Sequence, residues 1–207
     1  AIVDLKGNKK ISLAHQQVLH PTFNPQGTKV AYVYDNDMYI FDIQSQQTTA
    51  LTKDGQWNNI INGNCDWVYE EEFGFSQAYQ WSPNGDYLAY YRFDESKVKE
   101  FTMTYYWAND SYPDYYKFKY PKAGEANSVV DIYVYNVITK QAVKSDIGTE
   151  KDIYIPRIKW ISNGALGVYH LNRHQNHLNI LAINPANGSA KKYYEEQNEY
   201  YIDINDN

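Results

Sequence analysis

Three consecutive glutamates, Glu70, Glu71 and Glu72, combine residue type and spacing in the way most suited to chemistry, and they directly follow Asp66-Trp67-Val68-Tyr69. Asp66 suits the N-cap of a short helix over 66–73, and acidic residues near the start of a helix lie at the favourable end of its dipole. Successive helical residues project about 100° apart, so three neighbours cannot share one face, but two can converge on a small ligand. Two carboxylates side by side suit a primary ammonium, which offers three donors and one positive charge. Each such charge-assisted bond is worth roughly 1.5 to 3 kcal/mol. Taken alone, the charge pattern favours a solvated helix start. A glycosidase-type acid/base pair fits less well, because its carboxylates face each other across the substrate rather than sharing one turn.

The elements that must position this helix come from a degenerate repeat. Phe23-Asn24-Pro25-Gln26-Gly27 precedes Lys29-Val30-Ala31-Tyr32-Val33-Tyr34. Trp81-Ser82-Pro83-Asn84-Gly85 precedes Tyr87-Leu88-Ala89-Tyr90-Tyr91, and Trp160-Ile161-Ser162-Asn163-Gly164 precedes Leu166-Gly167-Val168-Tyr169. Proline fixes one turn position, glycine supplies positive φ, and an alternating or wholly apolar strand follows. A third strand (37–42, 129–136, 177–183) and a polar edge segment (47–51, 141–145, 190–194) complete each copy. Four strands per unit describe a blade of a β-propeller. A sandwich would share the turn spacing, but the repeated aromatic start favours the propeller.

The expected architecture is therefore all-β, a partial propeller with blades at about 14–54, 77–146 and 152–196 and one short inserted helix. Three blades cannot close a ring, since propellers have about four to eight. The reading is thus of a fragment, with a fourth blade beginning at 200–206. Residues 95–128 form a long insertion, rich in tyrosine and charge, between the second and third strands of the middle blade. An insertion of that composition usually meets a partner surface.

Composition narrows the function classes. The chain has 207 residues, 22 of them Tyr, 7 Phe and 5 Trp, with 43% hydrophobic content, a net charge of -6 and 19 scattered Lys and Arg. Nucleic acid is an unsuitable partner for such a surface, and no apolar stretch is long enough to span a bilayer. Cys65 is the single cysteine, so no internal disulfide forms. His170, His174 and His177 read as loop and strand decoration rather than a zinc set, and nothing calls for a cofactor.

The run Asp66 to Glu72 (DWVYEEE), the WSPNG turn at 81–85 with its LAY strand, and YPKAG at 120–124 resemble, in this order and at similar spacing, one residue shorter between Glu72 and Ser82, the propeller domain of the dipeptidyl peptidase IV family within the prolyl oligopeptidase superfamily. DWVYEEE is the specific element; WSPNG alone is common among propellers. The resemblance implies an eight-bladed propeller over an α/β-hydrolase domain, and a serine-type enzyme releasing N-terminal Xaa-Pro or Xaa-Ala dipeptides. It places the substrate's free amino group on Glu71 and Glu72, and leaves Glu70 aside. Anchoring the ammonium then fixes how many residues reach the nucleophile.

Two further departures accompany it. No residue here matches the arginine that the family places near the substrate carbonyl, and no G-x-S-x-G elbow is present, so catalytic residues are expected in a hydrolase domain outside this chain. The resemblance also implies a homodimer built partly by the 95–128 arm, with an arm packed on its own propeller as the other reading. It implies a periplasmic or secreted location, and the Asn- and Gln-rich composition points to a bacterial parent. The alternative function is a non-catalytic propeller acting as a protein-binding module. A carbohydrate-processing propeller is disfavoured, since its acids would be spread over several blades.

Overall fold

The computed structural model describes residues 1–3, 10–106, 111–161 and 164–204. Two short strands, β1 (Ile2–Val3) and β2 (Lys10–Ile11), pair antiparallel ahead of the repeat. The first sheet is a four-stranded meander of β3 (Leu19–Phe23), β4 (Lys29–Tyr34), β5 (Asp37–Asp42) and β6 (Gln47–Ala50).

The second sheet begins earlier than residue 77. It contains β7 (Ile60–Asn62), then α1 (Trp67–Phe73), then β8 (Tyr79–Trp81), β9 (Tyr87–Asp94), β12 (Val129–Asn136) and β13 (Gln141–Lys144). Between β9 and β12 the insertion forms its own hairpin, β10 (Glu100–Tyr105) and β11 (Asp114–Lys119). The third sheet comprises β14 (Ile153–Tyr154), β15 (Ile158–Trp160), β16 (Leu166–Asn172), β17 (His177–Ile183) and β18 (Ala190–Gln197).

The expected four strands per unit become five pieces in these two sheets for one physical reason. The edge strand is broken in two: β7 and β8 both pair with β9, and β14 and β15 both pair with β16. Residues 201–204, where a fourth unit is expected to begin, form no strand, and 205–206 lie outside the described residues. Instead Ile202 is buried and its N–H donates to the Gln175 carbonyl at 2.7 Å, tying the segment back onto the third sheet.

Period-two alternation explains how the sheets stack. In β9, Leu88 and Tyr90 join the cluster of Ala31, Val33, Met38 and Ile40 from the first sheet. Ala89, Tyr91 and Phe93, pointing the other way, join Leu166, Val168 and Leu171 of the third. A strand buried on both faces needs apolar residues at successive positions, as Leu88, Ala89, Tyr90 and Tyr91 supply.

The aromatic that opens each repeat has a second task. The Trp81 indole N–H donates to the Thr22 carbonyl at 3.2 Å, and the Trp160 indole N–H donates to the Gln80 carbonyl at 3.3 Å. In both cases the acceptor is the residue just before the opening aromatic of the preceding unit, so the bond repeats with the fold. The turns themselves also touch: the Gln26 amide donates to the Asn84 carbonyl at 2.9 Å, and a Cβ on Gly85 would fall 2.2 Å from Gln26 Oε1.

Replacing Trp81 by Phe keeps an aromatic ring but strands the Thr22 carbonyl. The expected cost is about 1 to 2 kcal/mol, read as a lower urea midpoint at unchanged slope. An unchanged midpoint would show that the indole bond contributes nothing.

Candidate functional site

The glutamate helix is an excursion from the broken strand of the second sheet, and its neck is closed by backbone alone. Gly63 N–H donates to the Tyr91 carbonyl (3.0 Å), Tyr91 N–H donates to the Ala78 carbonyl (2.9 Å), and Ala78 N–H donates to the Gly63 carbonyl (3.0 Å). Gly63 has φ of +72°, and a Cβ there would lie 2.6 Å from Met38 Cγ, so only glycine serves.

Each residue of the motif then has a distinct place. Asp66 is the N-cap, its carboxylate accepting from Tyr69 N–H at 3.0 Å and from the Ser128 hydroxyl at 2.5 Å. Burial pushes this carboxyl up, and those two bonds oppose the rise. Trp67 packs against Tyr120, ring centroids 4.1 Å apart. Val68, Tyr69 and Phe73 face inward. The Tyr69 ring meets Phe93 edge-on at 4.9 Å, and its hydroxyl accepts from Ile155 N–H at 2.8 Å. Gly74 ends the helix in the left-handed region, its N–H donating to the Glu70 carbonyl.

Glu70, Glu71 and Glu72 are all exposed. The helix is thus clamped on one side by apolar and capping residues while the three carboxylates stand in solvent. Glu72 lines a cleft of about 490 Å³ with Trp67, Tyr120, Lys122, Tyr154 and Arg173; Glu71, one residue earlier, lies outside that cleft. The Arg173 guanidinium stacks 5.5 Å from the Tyr154 ring and donates to the Glu125 carbonyl at 3.1 Å.

Several partners of the site carry no signal in the motif. Ser128, Ile155 and Arg157 lie 62, 86 and 84 residues from the atoms they bind. Of the three, Arg157 alone had a visible clue, being a cation directly after the run Ile153-Tyr154-Ile155-Pro156. The three histidines disperse: His170 lies in β16, His174 in the following turn and His177 in β17, where its Nε2 meets Glu195 Oε1 at 2.8 Å. Among the described residues no group of three or more metal-binding side chains converges.

The arm is docked at its root and open at its tip. Asn58 donates to Glu100 and to the Lys117 carbonyl, both at 3.3 Å, and Trp57 tilts against Tyr116 at 6.1 Å. Tyr106, Tyr112 and Tyr115 are 79%, 80% and 65% exposed. Residues 107–110 lie outside the described residues.

Where the arm leaves β9, Glu95 is buried beside Asp66. Burial first, and the Asp66 charge second, push its carboxyl up to about 7 against the opposing pull of Lys119. A raised acid stabilises the fold while protonated and loses that contribution as pH rises. Stability should therefore fall between about pH 4.5, its ordinary value, and about pH 7. Glu95→Gln, neutral throughout, should flatten that slope in urea titrations at several pH values; an undiminished slope would place the titration elsewhere.

A profile of the family described as the dipeptidyl peptidase IV (DPP IV) N-terminal region matches residues 1–207. Dipeptidyl aminopeptidase B of Saccharomyces cerevisiae is 38% identical over 168 residues, covering 78% of this chain and 20% of that one. Inactive dipeptidyl peptidase 10 of Rattus norvegicus is 32% identical over 86% of this chain and 23% of its own length. The crystal structure of Porphyromonas gingivalis dipeptidyl peptidase 4 superposes with a TM-score of 0.88 at 39% identity, covering 93% of this chain and 27% of that one. A putative dipeptidyl aminopeptidase IV from Bacteroides ovatus gives 0.79 at 26% identity, over 97% of this chain and 27% of that one. The chain thus spans between a fifth and a third of the length of these relatives. Its stacked antiparallel sheets are a partial β-propeller, and the chain belongs to the family of dipeptidyl peptidase IV N-terminal regions.

Proposed function

We propose that this chain is the propeller part of a serine-type dipeptidyl peptidase, in which Glu71 and Glu72 bind the α-ammonium of a peptide substrate. The observation that carries the reading is the division within 66–73: capping and apolar residues are consumed in holding the helix, and the carboxylates stand exposed at its surface. An ammonium held there measures a fixed length of peptide toward the nucleophile, so cleavage falls after the second residue and releases Xaa-Pro or Xaa-Ala dipeptides. Nucleophile, base and oxyanion donors belong to an α/β-hydrolase domain outside this chain. The parent acts in the periplasm or is secreted, where free peptide N-termini are met.

A second reading, a non-catalytic propeller that binds a protein partner, is favoured by one observation: a relative at 32% identity is named as inactive. A downstream G-x-S-x-G followed by Asp and His in the full-length protein separates the two.

The open tyrosines of the arm support a further part of the proposal, that the parent is a homodimer joined partly through this hairpin. Tyr115→Ala with Tyr116→Ala should shift the full-length protein toward monomer in sedimentation, and an unchanged dimer would remove the arm from the interface.

In the full-length protein, Glu71→Ala or Glu72→Ala should lower kcat/KM for a Gly-Pro chromogenic substrate at least about tenfold, as the loss of one charge-assisted bond implies. Glu70→Ala should do much less. An N-acetylated substrate, lacking the ammonium, should be processed poorly by all variants alike. Wild-type efficiency in both glutamate variants would reduce the cluster to a helix cap.

A further inference from the structure

The break in the edge strand of the third sheet, residues 155–157 between β14 and β15, reaches the neighbouring blade at its helix and at β9. Ile155 N–H donates to the Tyr69 hydroxyl at 2.8 Å, and the Ile155 carbonyl accepts from the Tyr91 hydroxyl at 3.1 Å. Pro156 has no N–H to offer a ladder. Arg157 then reaches back: Nη1 donates to the Phe73 carbonyl at 2.8 Å and to the Pro156 carbonyl at 2.7 Å, with the guanidinium 5.8 Å over the Phe75 ring. Its own carbonyl accepts from Tyr169 N–H at 3.0 Å, which fixes the base of the side chain in the third sheet.

Phe73 is the last residue of α1, one position after Glu72. Its carbonyl is one of those a helix terminus leaves without an internal partner, and the last turn of α1 carries no basic residue of its own. A helix of seven residues is far below the length that holds itself in water. The turn bearing Glu71 and Glu72 therefore depends on an outside donor, and the next blade supplies it.

We infer that Arg157 is a positioning residue for the glutamate pair, holding the C-terminal turn of α1 so that substrate-ammonium recognition depends on the seam between two blades. The inference rests on the proposed ammonium role of Glu71 and Glu72. Arg157 touches no substrate; it acts through the helix. A guanidinium can bond two carbonyls from one planar fork while stacking on a ring, which an ammonium on a flexible stem cannot reproduce in full.

The test uses the full-length protein and a Gly-Pro chromogenic substrate. Arg157→Met should raise KM on the order of tenfold with kcat little changed, because the lost interaction orients ground state and transition state alike. Arg157→Lys should fall between Met and wild type. In the Glu71→Ala, Glu72→Ala double background the Met substitution should add less than about twofold, since residues acting through one another are not additive. Equal KM in Arg157→Met and wild type, with the double glutamate variant impaired, would overturn the inference and leave the glutamate reading standing. So would a loss of the same size in both backgrounds, which marks general destabilisation. A fully active double glutamate variant would instead remove the ammonium reading, and this inference with it.

Discussion

The peptide unit at Tyr91 holds two lines of structure at once. Its carbonyl takes Gly63 N–H and its N–H reaches the Ala78 carbonyl, while Gly63 and Ala78 bond each other. Those three bonds let one strand of the second blade open, release a capped helix and resume pairing without loss of register in β9. If the neck widened, β7 and β8 would compete for the same edge and the glutamates would lose their fixed distance from the sheet. The Tyr91 side chain adds to this, its hydroxyl donating to the Ile155 carbonyl.

The anchoring is electrostatically costly on its buried side. Asp66 and Glu95 are both buried, both are pushed up by burial, and the Asp66 charge adds to the rise at Glu95. Hydrogen bonds from Ser128 and from the Tyr69 backbone keep Asp66 useful as a cap. Ser128 closes the arm and Glu95 opens it, so the root of the arm and the start of the helix share one buried polar cluster. The insertion also lies against the helix directly, Tyr120 packing on Trp67.

Most strands were legible because β4, β9, β12, β16 and β17 are long enough for apolar periodicity and are bounded by turns whose residues have known geometry. The helix was legible from Asp66 and from the abrupt change in pattern. The broken edge strands were not, since β7, β14 and β15 are two or three residues long and carry no periodicity; their pairing is decided by the strand they meet. The residues that clamp the helix were invisible for a related reason. A tyrosine hydroxyl reaching a backbone N–H 86 residues away is fixed by sheet stacking, which no local pattern encodes. Glu95 was visible only as a boundary, because burial turns an ordinary surface acid into a titrating one.

The most direct measurement is a crystal structure of the full-length protein with a slowly cleaved Xaa-Pro peptide bound. The expected result places the peptide's terminal nitrogen within hydrogen-bonding reach, about 2.7 to 3.2 Å, of carboxylate oxygens from both Glu71 and Glu72, with α1 unmoved. A terminal nitrogen held by other groups, with both carboxylates still facing solvent, would contradict it.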